Sequence, residues 1–286
     1  DNAEEPRGFR VMVPILFKLG PITVYSFGAM VAIAFLTAYW LSAAEFRRRG
    51  IPKPKDVASS LLLIAFIGGL AGAKLFHLLE HPQEFLADPI GAIFSPAGLT
   101  FHGGFLVAAL GFVIYIRRRR LPLWRIADAI APALILAYGI GRIGCHLAGD
   151  GDYGIPTDVP WAVTYPNGTV PTLARLNPEL RHKYEELFPG RPVPEDIPVH
   201  PTPIYEFLAS VGIFAVLWLL RTSRRHAEGW LFGLYLVLAG VERFLVEFIR
   251  LNPTYWGLTQ AQWMSLLAIA VGAILLVRRW TSTSAR

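Results

Sequence analysis

The chain has little charge and almost no cysteine. Only 17% of its 286 residues are Asp, Glu, Lys or Arg, against about 25% in soluble domains. A surface solvated on every side is therefore excluded. The single cysteine, Cys145, allows no internal disulfide, so cysteine usage does not reveal a redox compartment. Spacings of the HExxH or CxxC kind are absent and the seven histidines are scattered, so no metal site is expected. No GxS nucleophile motif falls on an apolar segment, and neither an internal repeat nor a low-complexity tract is found. The first 20 residues lack a charged stretch followed by an apolar core, so no cleavable signal peptide is expected.

Apolar residues fill the space instead: 53% of the chain, with a mean hydropathy of +0.43. They come in blocks of roughly 17–23 residues, close to the about 20 that a helix needs to cross hydrocarbon. The blocks are Thr23–Ala44, Val57–Leu79, Leu99–Ile116, Ile126–Ile143, Ile204–Leu220, Trp230–Ile249 and Ala261–Val277. Those starting at Leu99 and Ile126 are the shortest. The expected fold is an all-α polytopic membrane protein with seven transmembrane helices.

The net charge of +6 is not a nucleic-acid signal, because of where it lies. Arg47, Arg48, Arg49, Lys53 and Lys55 sit in the first connection, Arg117 to Arg120 and Arg125 in the third, and Arg221, Arg224 and Arg225 in the fifth. Arg278, Arg279 and Arg286 are in the tail. The second connection, "EHPQEFLADPIGAIFSP", and the sixth, "LNPTYWGLT", carry no Lys or Arg. Basic and non-basic connections alternate as the positive-inside rule requires. The N-terminus is therefore expected outside and the C-terminus in the cytoplasm.

Four parts are expected. Residues 1–22 form an N-terminal arm, in which "PILFKLGPI" lies along the outer interface. Residues 23–146 hold helices one to four, 147–202 a small extracytoplasmic head, and 203–286 the last three helices and the tail. The head contains 10 of the 22 prolines, too many for a long helix. Within it, "WAVTYPNGTVP" reads as two short strands around a turn. "NPELRHKYEELF" reads as a short helix capped by Asn177 with Pro178 in its first turn.

Four basic residues, Lys74, Arg142, Arg243 and Arg250, fall in or at the ends of the apolar blocks. A charge at a membrane helix centre costs at least about 2.5–3.5 kcal/mol on insertion scales, so each needs a partner or a function. Candidate acids are Glu80, Asp128, Glu206, Glu242 and Glu247. Glu247 follows Arg243 by four residues, on the same helical face, so a structural ion pair stands beside a functional reading. Arg142 has Tyr138 and His146 at i−4 and i+4, neither of them anionic. It lies among Gly139, Gly141 and Gly144 in "GRIGCHLAGDGDYG", where its planar fork suits a phosphate. Asp150 and Asp152 shape the turn that follows or pair with cations, turn chemistry being the plainer role for Asp152. His102 in "FHGGF" precedes two glycines at a helix start, where backbone N–H groups are available, and an imidazole can take or give a proton. In "HPTPIYEF", Tyr205 and Glu206 are expected to face the bundle. Cys145 is read as small apolar packing rather than a nucleophile.

The order of "LFKLGPITVYSFG", "FHGGF", "GRIGCHLAGDGDYG", "HPTPIYE" and "ERFLVEFIR" resembles that of bacterial prolipoprotein diacylglyceryl transferases over nearly the whole chain. The resemblance implies a multi-pass enzyme of the bacterial inner membrane, with the N-terminus and head periplasmic. It implies transfer of the diacylglyceryl group of phosphatidylglycerol to the lipobox cysteine of a prelipoprotein signal peptide. A thioether forms, glycerol phosphate is released, and no cofactor is involved; the partners are these two substrates and membrane lipids, not nucleic acid. Carried over by motif, Arg142 and Arg243 hold the lipid headgroup and Glu247 supports Arg243. His102 and Gly154 fall at functional positions, and His102 is assigned as the base that activates the thiol. Tyr25, Asp150, His200 and Tyr205 complete the expected substrate-contacting set. Departures from the family pattern are Cys145 for a frequent Asn, Asp150 near a usual Glu, and one extra residue in "GDGDYG". Phe27 and Ala239 also stand where tyrosines are common. The rival expectation is a transporter or channel for an anionic solute, which suits buried arginines but lacks an inverted repeat.

Overall fold

A computed structural model describes residues 12–20, 22–95, 100–223 and 227–280. Arg224, Arg225 and Arg286, the start of the third block at Leu99, and the arm before residue 12 lie outside the described residues. The chain divides into two compact units, Asp1–Thr37 with Ala131–Arg286, and Ala38–Ile130.

Ten helices occur among the described residues. The long ones are α1 (Ser26–Arg48), α2 (Pro54–Glu80), α5 (Phe101–Arg118), α6 (Leu123–Ala148), α8 (Thr202–Leu220), α9 (Trp230–Val246) and α10 (Gln260–Trp280). Each overlaps one of the seven apolar blocks. Five of them, α1, α2, α6, α8 and α10, are long and apolar enough to cross a membrane. The block from Ile126 is no short one: its helix runs 26 residues. The shorter helices are instead α5 with 18 residues and α9 with 17, the latter continuing as a 3-10 turn over Glu247–Ile249.

In the second unit, α2 packs along α5 through facing glycines. A Cβ on Gly103 would lie 2.5 Å from Gly72 O, and one on Gly104 2.7 Å from Gly69 O. The two glycines after His102 thus serve close helix contact. Phe46, Ile126, Ile116, Leu61 and Val57 form a core at the basic end of the same helices. There Arg48 pairs with the buried Glu45 at 2.6 Å, and Arg49 with Asp128 at 3.8 Å. Lys74 donates to Ser95 O at 2.9 Å. Between α2 and α5 the chain forms the short helices α3 (Pro82–Ala87) and α4 (Pro89–Phe94), which leave Leu86, Ile90 and Phe94 exposed.

In the first unit, residues before α1 form a hairpin of β1 (Ile15–Leu19) and β2 (Ile22–Tyr25), with Leu19 opposite Ile22. The first apolar block therefore begins as a strand. Every residue of β1 is exposed. Helix α9 packs along α10 and against α8. Ile135 of α6, Ile213 and Leu217 of α8 and Leu231 of α9 meet in one core. Strands β3 (Thr254–Tyr255) and β4 (Leu258–Thr259) make a tight hairpin before α10.

The insert between α6 and α8 has its own core of Tyr153, Tyr165, Leu180, Tyr184, Ile197 and Val199. Helix α7 (Pro178–Leu187) forms as expected, and Asn177 Oδ1 accepts from Leu180 N at 3.1 Å. The two strands expected around Pro166–Gly168 do not form. Thr172 N donates to Tyr165 O at 3.2 Å across the turn, but the bridges run from Val163 to Val199 and from Leu173 to Asp196, so the segment pairs mainly with the chain returning to α8.

Candidate active site

Arg142 lies in the penultimate turn of α6, Arg243 in the last turn of α9, and Arg250 follows the 3-10 turn. Three carboxylates hold them. Glu206, in the first turns of α8 and 0% exposed, lies 2.7 Å from Arg142 Nε, 3.6 Å from Arg243 Nη1 and 4.0 Å from Arg250 Nη1. Glu247 Oε2 pairs with Arg243 at 2.6 Å and with Arg250 at 3.8 Å, while Asn252 donates to its Oε1 at 2.6 Å. Asp152 bridges Arg142 and Arg250, one through each carboxylate oxygen. Its backbone carbonyl accepts from Arg250 Nη1 at 2.8 Å and from Thr202 Oγ1 at 2.6 Å.

Arg142 has no counter-ion within its own helix, as Tyr138 and His146 at i−4 and i+4 imply. Its counter-ions come from α8 and from the insert, beyond the reach of an i±4 search. The ion pair of Arg243 with Glu247 forms as the spacing suggests. The two aspartates exchange expectations. Asp150 Oδ1 accepts from Asp152 N at 3.3 Å, which is turn chemistry, and Asp152 is the residue on the arginines. Burial opposes ionisation of Asp152, but Arg142 and Arg250 overcome it and hold the carboxyl below the usual carboxylate range.

Gly154 is placed by close approach. Its N–H donates to His200 O at 2.9 Å, and it bridges antiparallel to Arg250. A Cβ there would lie 2.4 Å from Ile249 O, 2.9 Å from Thr202 Cγ2 and 3.0 Å from His200 Cβ. Three backbone segments thus cross at this residue, and the crossing sets Asp152 against Arg250.

The remaining expected residues are less central. Tyr205 turns to the insert: Trp161 Nε1 donates to its hydroxyl at 2.7 Å, and His200 Nδ1 lies 3.2 Å from it. Burial lowers the pKa of His200, so the neutral ring can accept the Tyr205 hydroxyl proton. Tyr25 is exposed at the end of β2, opposite Ile15. His102 is half-buried in the first turn of α5, in the other unit. Cys145 is buried, with Sγ 3.9 Å from Arg142 Nη1. Ligand atoms of Cys145, Asp150 and Asp152 lie within 4.8 Å of one another. A cation there would meet two guanidinium groups already on Asp152, so the donor set does not suit a metal.

The sequence marked Arg250 as needing a partner or a function, Asp152 as a turn residue before a cation partner, and Glu206 as facing the bundle, but it assigned none of the three to the substrate site. The available signal was the presence of apolar-block arginines and acids in comparable number, which predicts pairing without naming the pairs.

Long apolar helices, with a charged cluster where a polar insert joins them, define a membrane protein of the polytopic helical class. Residues 14–278 match the family described as prolipoprotein diacylglyceryl transferase. A relative from Xanthomonas euvesicatoria pv. vesicatoria is 34% identical over 277 residues, covering 92% of this chain and 90% of its own. One from Chromohalobacter salexigens is 33% identical over 260 residues, with 88% and 85% covered. One from Vibrio cholerae is 31% identical over 274 residues, with 92% and 90% covered. All three are named phosphatidylglycerol–prolipoprotein diacylglyceryl transferase. The chain belongs to the prolipoprotein diacylglyceryl transferase family and is a transferase of lipoprotein biosynthesis. The anionic-solute transporter finds no support among these relatives.

Proposed function

We propose that the chain moves the diacylglyceryl group of phosphatidylglycerol to the lipobox cysteine of a prelipoprotein, at the outer leaflet of the bacterial inner membrane. All seven long helices cross the bilayer in this reading, with the hairpin β1–β2 and the insert outside. The observation that carries it is the Arg142–Arg243–Arg250 cluster, backed by Glu206, Glu247 and Asp152.

In the reaction the lipobox sulfur attacks C3 of the glycerol backbone. The S–C bond forms, the C3–O bond to phosphate breaks, and glycerol phosphate leaves with the electron pair. Its phosphate gains negative charge as the bond breaks. Guanidinium groups fixed beforehand stabilise that gain more than the ground state. Fixing them is the role of the two buried acids, Glu206 and Glu247, both nearly inaccessible. Asp152 differs, because its side chain is 30% exposed. It occupies the anion position between Arg142 and Arg250 until the lipid phosphate replaces it. His102 is the candidate for the base that takes the thiol proton, on the strength of the "FHGGF" motif alone. Gly154 sets the crossing that positions Arg250, and Tyr25, Asp150, His200 and Tyr205 line the approach of the peptide and lipid.

The test is incubation of the purified protein with labelled phosphatidylglycerol and a lipobox peptide. Thioether-linked product and released glycerol phosphate in equal amounts are expected. Arg142→Ala is expected to lose about 100- to 1000-fold in kcat, the usual effect of removing one oxyanion-type donor, while remaining folded. Lipid-independent solute flux, or full activity of that variant, would overturn the proposal.

A further inference from the structure

Tyr138 lies on α6 four residues before Arg142, one turn further from the insert. Its ring lies beneath the Arg142 guanidinium, 4.9 Å from centroid to Cζ. Arg142, Glu206, Glu242 and Arg243 are all within its electrostatic reach. The Tyr138 hydroxyl is nevertheless buried and has no hydrogen-bond partner among the described residues. Ser210 of α8 is in the same condition: it is 0% exposed and its Oγ is unpartnered. It faces Gly139, where an added Cβ would stand 2.7 Å from Ser210 Cβ and 3.3 Å from Oγ. Ala239, with little side chain, packs with Tyr138 on the core of Ile135, Ile213 and Leu217.

A buried hydroxyl without a partner destabilises the free protein, and phenylalanine would fill the same volume and stack equally under the arginine. The ring therefore accounts for an aromatic residue here, but not for its oxygen. The hydroxyl gains a partner only when something polar arrives beside Arg142. Resting on the lipid-transfer reading, with the phosphate at Arg142, one turn deeper into the membrane meets the glycerol backbone and its acyl esters. We propose that Tyr138 is a further substrate-binding residue, whose hydroxyl donates to an ester carbonyl of the diacylglyceryl group. It would fix the backbone carbon that is attacked relative to the phosphate that leaves.

The test pairs Tyr138→Phe with two forms of the lipid, ester-linked and ether-linked phosphatidylglycerol, the second lacking the carbonyls. Binding is read by titration of the detergent-solubilised protein in native mass spectrometry, and turnover by the labelled-lipid assay. Wild type is expected to bind the ester lipid about tenfold more tightly than the ether lipid, the worth of one hydrogen bond of about 1.4 kcal/mol. Tyr138→Phe is expected to lose that preference and to match wild type on the ether lipid. Its melting temperature should be unchanged or higher, since no hydrogen bond of the free protein is removed. Equal binding of the ester lipid by both proteins, or an equal loss on both lipids, would overturn the proposal. Absence of transfer by wild type would instead count against the transferase reading, and the binding comparison would still decide the role of Tyr138.

Discussion

Arg142, Arg243 and Arg250 meet Asp152, Glu206 and Glu247, three charges of each sign. Attraction for an anion here does not come from excess charge, then, but from N–H groups held in place with one replaceable partner. Removing a single member of such a buried set leaves an unpaired charge, which typically costs 3–5 kcal/mol. At the same scale, His200 and Asp152 give the insert an acid-side weakness. Burial lowers the pKa of His200 in the folded chain, whereas the unfolded chain takes its proton near 6.5. Stability from this group is therefore complete above about pH 6.5. It falls as the pH drops toward the folded value, where the Tyr205 hydroxyl loses its acceptor. Asp152, held low by Arg142 and Arg250 against burial, adds a further loss at more acid pH, once its carboxyl is protonated. Thermal midpoints measured from pH 7.5 to 5 should decline, and His200→Gln should flatten that slope. An unchanged slope in the variant would show that His200 is not buried as a neutral ring.

At the scale of elements, the junction of α6, the insert, α8 and the end of α9 depends on one residue without a side chain. Gly154→Ala drives a Cβ into Ile249 O and Thr202 Cγ2, and the first of these is backbone that cannot rotate away. A loss of about 1–3 kcal/mol is expected from the overpacking. Activity should fall further than stability does, because the shift moves Arg250 and Asp152 apart. Turnover measured at a temperature where the variant is fully folded separates the two effects, and wild-type turnover there would refute the positioning role. The helices themselves were legible, since long apolar runs leave few alternatives. Their ends were not. Thr23–Tyr25 reads as the start of a span but pairs with Ile15–Lys18, because Thr, Val and Tyr favour strands yet also fit the end of an apolar run. The head strands failed for a related reason. The turn residues suggested a hairpin, and Tyr165 does meet Thr172 across the turn, but the bridge partners Val199 and Asp196 lie more than 20 residues away along the chain.

Over the whole molecule, the sequence revealed which charges were out of place but not how they pair. Arg243 and Glu247 were readable because both lie on one continuous helical turn. Arg142, Glu206 and Asp152 come from α6, α8 and the insert, and no periodicity links them. Orientation is the property that the charge pattern predicts most directly, through basic ends on α1, α5 and α10 and an insert rich in ion pairs of both signs. Single cysteines provide the check, because native Cys145 is buried and can be replaced by serine. His182→Cys on α7 and Lys55→Cys at the start of α2 both lie at exposed positions. In intact spheroplasts a membrane-impermeant maleimide should label the first and reach the second only after lysis. The reverse pattern would put the arginine cluster at the cytoplasmic face and overturn the proposed outer-leaflet site.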